Sequence, residues 1–297
     1  MFTALDVFRR LELHDFRVLR SIELGMRYHE YVPIEDSVRT SRLSPDEVLF
    51  RLDRLHKMNL IYRAKMARTG YILNSSGYDC LALKAVLEGN HVASIGEKLG
   101  VGKESDVYAA LSPEGAQIAI KFHRLGRVSF RQIRRTRRYL EERRHISWIY
   151  ASRLSAEREF QALKKVFAAG VPVPRPLAQN RHLIVMGMIQ GDPLYICHDL
   201  PDPSNFLNVI IASLKTCHKA GIAHGDLSEY NIIVTPEIKP MIIDWPQYVE
   251  RGKPGYLKTF EIDVRHILVF FGKRFSIKTS IDATFKEIGL KKAVVAQ

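Results

Sequence analysis

The chain has 297 residues, 46% of them hydrophobic and 26% charged, with a formal net charge of +13. This composition excludes disorder and leaves room for one large domain and one small one, and without an apolar run near ~18 residues it excludes a transmembrane helix. The charged opening (Asp6, Arg9, Arg10, Glu12, Asp15) is no signal peptide, and Cys80, Cys197 and Cys217 form no CxxC pair, so a reduced cytoplasmic chain is expected whose charge calls for a polyanion, nucleic acid before membrane.

In chain order, Phe16, Val18, Leu19 and Ile22 have helical spacing within Asp15–Met26, and Pro33–Thr40 is a short second helix. Ser44-Pro45-Asp46-Glu47 is a capping box with proline at the first helical position. The helix it opens should turn Val48, Leu49, Leu52 and Leu55 inward and Arg51, Arg54 and Lys57 outward. Ile61–Met66 and Tyr71–Asn74 then flank the turn Ala67-Arg68-Thr69-Gly70. Three helices and a β-hairpin are the order of a winged helix, in which Arg51, Arg54, Lys57 and Arg68 would meet phosphate backbone. The bland alternatives are a protein-interaction module of the same shape or a solvated basic face. Gly77–Gly89 reads as a closing helix, and Asn90 starts a linker.

Gly100-Val101-Gly102-Lys103-Glu104-Ser105-Asp106-Val107 resembles a kinase phosphate loop with Ser105 at its third glycine, where a hydroxyl can donate to phosphate. Ile118-Ala119-Ile120-Lys121 follows as a strand ending in a lysine fit to neutralise phosphate charge. Arg124–Arg144 holds nine arginines against Glu141 and Glu142 and supplies +7 of the net charge. It is expected to be a mobile basic loop that orders on phosphate, with Arg134, Arg135, Arg137 and Arg138 as contacts; the alternative is a solvated helix face. Ser129 within it is a candidate for self-phosphorylation.

Ser155-Ala156-Glu157-Arg158 reads as the N-terminal cap of an amphipathic helix to Ala168, with Phe160, Leu163, Val166 and Phe167 inward. Glu157 and Glu159 both qualify to pair with Lys121, and kinase spacing relative to Leu163 selects Glu159. His182–Met186 is a buried strand entering Gly187–Gly191, where the Gly187 carbonyl and the Ile189 amide would take the adenine edge. Pro203–Gly221 is a long helix with Phe206, Val209, Ile210, Leu214 and Cys217 on its inner face.

His224-Gly225-Asp226-Leu227-Ser228-Glu229-Tyr230-Asn231 precedes two apolar runs, Ile232–Val234 and Met241–Ile243, that bracket a hairpin, and Asp244 follows. An Asp, an Asn five residues on and a second Asp beyond a hairpin supply what phosphoryl transfer needs. One carboxylate orients or deprotonates the acceptor; the amide and the other carboxylate hold metal ions on the phosphates. Two or three helices remain after Asp244, such as Thr259–Phe271, and no A-P-E motif occurs, so a lobe without the usual peptide platform is expected.

G-K-E-S-D-V-Y, H-G-D-L-S-E-Y-N and I-D-W-P-Q together resemble the RIO atypical kinases, and a leading winged helix resembles their second branch in its archaeal form. The resemblance implies an α+β chain: a winged-helix domain at 1–89, then a two-lobed kinase domain at 90–297 with a shortened C-terminal lobe, the lobes near 90–187 and 191–297. It implies Mg-ATP, with Mn²⁺ as an alternative ion, held by Gly100, Gly102, Lys103, Glu104, Ser105, Val107, Ala119, Lys121, Glu159, Met186, Gly187, Ile189, Ile233 and Asp244. Asp226, Lys121 and Asp244 would be catalytic and Asn231 and Asp244 metal ligands, with Asp244 also accepting the phosphoryl group in ATPase-like turnover. Gly187 departs from the glutamate usual at the hinge. The partners implied are the pre-small-subunit ribosomal particle and its rRNA, for a monomer or weak dimer that does not bind membrane.

Two other readings are open to these residues. HGD-x4-N also occurs in small-molecule phosphotransferases of the aminoglycoside and choline kinase type, against which the winged helix and arginine-rich stretch argue. The third reading is a non-catalytic RNA-binding assembly factor that uses ATP as a switch.

Overall fold

The computed structural model describes residues 4–65, 69–102, 104–125 and 148–290, so Arg68, Lys103, Ser129, Arg134, Arg135, Arg137 and Arg138 lie outside the described residues. The chain forms two compact units, Met1–Asn90 and His91–Gln297.

The first unit contains α1 (Ala4–Phe8), α2 (Leu13–Gly25), β1 (Val32–Pro33), α3 (Ile34–Ser41), α4 (Pro45–Lys57), β2 (Ile61–Lys65), β3 (Thr69–Leu73) and α5 (Ser75–Glu88). β1, β3 and β2 make a three-stranded antiparallel sheet in that order, which gives a winged-helix arrangement. Ser44 caps α4 by accepting from Glu47 N at 3.3 Å, and Asn74 caps α5 by accepting from Gly77 N at 3.0 Å. Val18, Leu19, Ile22, Val48, Leu52 and Leu55 are fully buried.

α4 departs from the expected outward basic face. Arg51 is buried and clamps three carboxylates: Glu12 at 2.7 Å, Glu47 at 2.8 Å and the fully buried Asp15 at 3.3 Å. Arg54 joins Glu12 at 2.8 Å and donates to the Arg10 carbonyl at 2.6 Å. Both arginines therefore tie α4 to the chain around α2, and only Lys57 is fully exposed, beside Asp53 at 2.6 Å. Leu49, expected inside, is 46% exposed, and its neighbour Phe50 is exposed as well. Arg51→Met removes the cation that Glu12, Glu47 and the buried Asp15 share, and a loss of about 3 kcal/mol is expected in chemical unfolding, the scale for removing one partner of a buried ion pair. An unfolding midpoint unchanged by that substitution rules out the clamp.

The second unit is built on a five-stranded antiparallel sheet of order β4-β5-β6-β8-β7, made of β4 (Ser94–Val101), β5 (Ser105–Leu111), β6 (Gln117–His123), β7 (Pro176–Asn180) and β8 (Leu183–Gly187). Helix α6 (Trp148–Ala168) packs on this sheet. It begins before Ser155, so Ser155 is no cap. Instead Ser155 pairs with His123 Nδ1 at 3.0 Å and Ser152 accepts from Leu125 N at 3.1 Å, so both buried hydroxyls fasten helix to strand. Phe167, expected inside, is 44% exposed at the far end of the helix.

The remaining lobe comprises β9 (Asp192–Pro193), α7 (Pro203–Ala220), β10 (Ile222–Ala223), β11 (Ile232–Val234), β12 (Pro240–Ile242), β13 (Val249–Glu250), α8 (Tyr256–Phe275) and α9 (Ile281–Ile288). β12, β11 and β9 pair in that order, and β10 pairs with β13. One core joins Leu163 and Val166 of α6, Phe206, Ile210 and Leu214 of α7, and Phe260, Ile267 and Phe271 of α8. Val209, placed inside α7 by its spacing, lies at the surface.

Candidate active site

The site begins with the alternation of β6. Ile120 and Phe122 bury on one side, and Lys121 turns to the other, toward α6. Its Nζ lies 2.8 Å from both Glu159 oxygens and 2.6 Å from Asp244 Oδ1. An ammonium has three donors, and here it meets three carboxylate oxygens. Burial alone would lower the Lys121 pKa, but the Asp244 and Glu159 carboxylates outweigh it and the net shift is upward. For Glu159 burial would raise the pKa, while Lys121 and His123 hold it down to about 2. The group is therefore a charged pair at neutral pH, with Asp244 as the third, more exposed member. Glu157, the other candidate, pairs with Arg153 at 2.7 Å instead.

Beside Lys121, Ala119, Ile184 and Met186 form a small apolar cluster with Val107 and Met188 packed against it. This is a flat apolar wall, and β8 leads from it into residues 188–191. Met188 N–H is taken by the Gln117 carbonyl at 3.3 Å; among the described residues Ile189 N–H has no partner. A free amide next to an apolar wall is what a purine edge requires. The loop between β4 and β5 closes through Gly102 N donating to Ser105 O at 2.8 Å, and a side chain at Gly100 would meet nothing within 4 Å. Asp106, buried just after the loop, takes Lys98 at 2.9 Å and Arg124 at 2.8 Å, and Arg124 N donates to Glu104 O at 2.6 Å. These contacts brace the loop from both neighbouring strands.

The opposite wall is the stretch from His224 to Asn231. His224 Nε2 donates to the Ile243 carbonyl at 2.9 Å, and its Nδ1 accepts from Asp226 N at 3.3 Å, which fixes a neutral tautomer. Gly225 has φ +88°, and a Cβ there would lie 2.3 Å from the Gln247 carbonyl, so the loop admits only glycine at this point. Asn231 Nδ2 donates to the Asp226 carbonyl at 2.8 Å, which turns its amide oxygen into the available acceptor. Asp244 follows β12 with φ 67°, the left-handed region, a conformation aspartate tolerates better than most residues. Desolvation, reinforced by the Asp244 and Asp263 carboxylates, raises the Asp226 pKa.

The residue that organises this loop is one the motifs did not reveal. Asp263, on α8 and 1% exposed, accepts from Gly225 N at 3.0 Å and from Leu227 N at 3.1 Å. His266, one turn on, donates through Nδ1 to the Leu227 carbonyl at 3.2 Å. The sequence signal was an aspartate inside the apolar stripe Phe260, Val264, Ile267 and Phe271. Asp263→Ala leaves two buried amides unsatisfied; a loss of about 2 kcal/mol in unfolding and a fall in turnover larger than any fall in nucleotide affinity are expected, read by denaturation and by kinetics with ATP varied. Arg158 is a second such residue: it donates to Pro246 O at 3.2 Å and Tyr248 O at 2.6 Å, tying the helix that carries Glu159 to the segment after Asp244.

Among the described residues no cluster of three or more His, Cys, Asp or Glu side chains could hold a metal alone. One carboxylate and one amide oxygen are the sparse donor set magnesium uses when phosphates supply the rest, so Asn231 and Asp244 fit it.

A family model for the RIO domain matches residues 106–284, and one for the Rio2 N-terminal domain matches residues 8–88. The chain belongs to the RIO family of protein kinases. The RIO-type serine/threonine-protein kinase Rio2 of Methanocaldococcus jannaschii is 38% identical over 277 residues, covering 89% of this chain and 99% of that one. The serine/threonine-protein kinase rio2 of Dictyostelium discoideum is 38% identical over 268 residues, 90% of this chain but 51% of that one, so the chain spans about half the length of that relative. The crystal structure of a Rio2 kinase–ADP/Mg²⁺–phosphoaspartate complex from Chaetomium thermophilum superimposes with a TM-score of 0.81 at 36% identity, covering 96% of this chain and 89% of that one. An ATP-binding RIO kinase with Mg²⁺ thus accounts for both the family match and the geometry.

Proposed function

We propose that this RIO chain transfers the γ-phosphoryl group of Mg-ATP to serine and turns over as an ATPase, in the cytoplasm, during maturation of the small ribosomal subunit. The observation that carries the catalytic part is the Lys121 ammonium bridging Glu159 and Asp244 at 2.6–2.8 Å, opposite Asp226 and Asn231. Lys121 neutralises phosphate charge, and Asn231 and Asp244 hold magnesium, which when bound spreads the charge on the phosphates. Asp226 orients the acceptor hydroxyl and takes its proton as the oxygen attacks the γ-phosphorus; the bond to the bridging oxygen breaks and ADP leaves with that electron pair. In the ATPase mode the Asp244 carboxylate is the acceptor, and water then hydrolyses the acyl phosphate; the phosphoaspartate of the Chaetomium complex supports this mode.

The ribosomal part rests on the family and on the charge of +13. The exposed face of α4 does not add to it, because Arg51 and Arg54 are engaged internally and the carboxylates of Asp46 and Asp53 outnumber the ammonium of Lys57. Incubation of the purified chain with labelled Mg-ATP should give phosphate release and self-phosphorylation, both lost in Asp226→Ala; absence of both from the unaltered chain rejects the catalytic reading. Cross-linking in cell extract should recover small-subunit precursor rRNA, and recovery of unrelated RNA only would reject the ribosomal role. Replacing Mg²⁺ with Mn²⁺ in the same incubation tests the alternative ion.

A further inference from the structure

The face of α8 that carries His266 does more than brace the catalytic loop. It lines an open cavity of about 570 Å³ whose other wall is Ser228 and Glu229, two and three residues after Asp226. Arg265, Lys273 and Arg274 supply three cations to this cavity against the single carboxylate of Glu229, and Val269, 48% exposed, gives it an apolar floor. Lys273 and Arg274 lie in the last turn of the helix, eight and nine residues beyond Arg265, and all three border the cavity. Arg265 is held by Glu261 at 2.7 Å. Among the described residues Lys273 makes no ion pair, and Arg274 faces His198 rather than a carboxylate. A helix C-terminus favours cations, which would explain Lys273 and Arg274 alone. It does not explain why they border, with Arg265, a cavity whose rim includes Ser228 and Glu229, two and three residues after Asp226.

We propose that this cavity is the docking subsite for the acceptor polypeptide and that it selects acceptors carrying carboxylate side chains next to the phosphorylated serine. The proposal rests on the protein-kinase reading, since an acceptor chain must pass Asp226. Through His266 and Asp263 the helix that carries these cations is fixed to the backbone of Leu227, so a peptide held by Lys273 and Arg274 is positioned relative to the catalytic carboxylate. Glu229 at the rim disfavours the closely spaced charges of a nucleic-acid backbone, while separated carboxylates can reach Lys273 and Arg274 and leave Glu229 to solvent. The mixed apolar floor suits a side-chain-bearing polypeptide.

The test uses the full chain, saturating Mg²⁺ and a non-hydrolysable ATP analogue, with fluorescent serine peptides flanked by Glu, by Gln or by Lys. The unaltered chain should bind the Glu peptide about tenfold more tightly than the Gln peptide, the gain expected from two partly exposed charge pairs. The Lys273→Glu/Arg274→Glu chain should lose that preference and favour the Lys peptide, and its thermal unfolding reports whether the fold is kept. Equal binding of Glu and Gln peptides by the unaltered chain overturns the proposal. So does a preference that survives the charge reversal, or an RNA oligonucleotide that binds more tightly than the Glu peptide and depends more on Lys273 and Arg274. With ATP in place of the analogue, kinetics separate the two readings: charge-dependent binding without phosphate transfer to any peptide removes the kinase reading, whereas transfer with no charge preference in KM removes the subsite.

Discussion

Asp226→Asn should slow phosphoryl transfer by about 10³-fold, within the range for loss of a positioned general base, while nucleotide affinity changes less than about twofold. The asymmetry follows from position. Asp226 lies across the site from the apolar wall of Val107, Ala119 and Met186 and makes none of the contacts that hold Lys121. Its peptide N–H and C=O, bonded to His224 and Asn231, survive the change, so the loop keeps its shape. The pH profile adds an independent check. Burial, with Asp244 and Asp263 adding, lifts this carboxyl above its usual 3.8. A raised acid is protonated earlier on acidification, so the acid limb of kcat/KM, which reports the free enzyme, should fall above pH 3.8. An Asp226→Asn chain that keeps more than about a tenth of the rate, or an acid limb below that value, removes Asp226 from its assigned role.

How much of this was legible depends on whether the signal is local. Asp226, Asn231 and Asp244 lie on one loop and one hairpin, so spacing alone placed them, and the hairpin register Ile232 to Ile242 brings the two ends together. Lys121 and Glu159 are held by separate elements; the strand pattern and helix phase located each, and the kinase likeness joined them. The failures are instructive because the helical angles already contained them. At about 100° per residue, Arg51 stands only about 60° from Val48, inside the apolar stripe, while Lys57 stands opposite and Leu49 beyond the edge. Charge type overrode phase in the expectation, whereas in the fold Glu12, Asp15 and Glu47 compensate the inward arginine. Ser155 shows the same competition. Serine before an acidic residue is a cap signal, but a serine buried against a strand finds its partner there, in His123. Asp263 and Asp106 were hidden for another reason: each satisfies backbone or cations from distant segments, and although an aspartate within an apolar stripe marks Asp263 as unusual, nothing local names its partners.

Glu159→Gln carries the second large expectation, because Glu159 links stability to catalysis. Removing one charge of a buried pair leaves Lys121 and His123 facing a neutral amide, and a loss of about 3 kcal/mol is expected in chemical unfolding at neutral pH. The pH dependence has a definite sign. Glu159 is held at about 2 in the fold against 4.5 ordinarily, so its contribution is fully present above pH 4.5 and disappears as pH falls toward about 2. The stability gap between the unaltered and Glu159→Gln chains should therefore narrow across that window and nowhere above it. Turnover should fall by about 10²-fold, since Lys121 then has only Asp244 to fix its ammonium. The double change Lys121→Met/Glu159→Leu separates the two roles. An apolar pair of similar volume removes the uncompensated charge and should recover most of the lost stability, yet it takes the Lys121 ammonium from the phosphates and should stay inactive. Retained turnover in that double variant would show that phosphate neutralisation comes from elsewhere, and a gap that stays constant from about pH 7 to about pH 3 would show that Glu159 is not the ionised partner its distances imply.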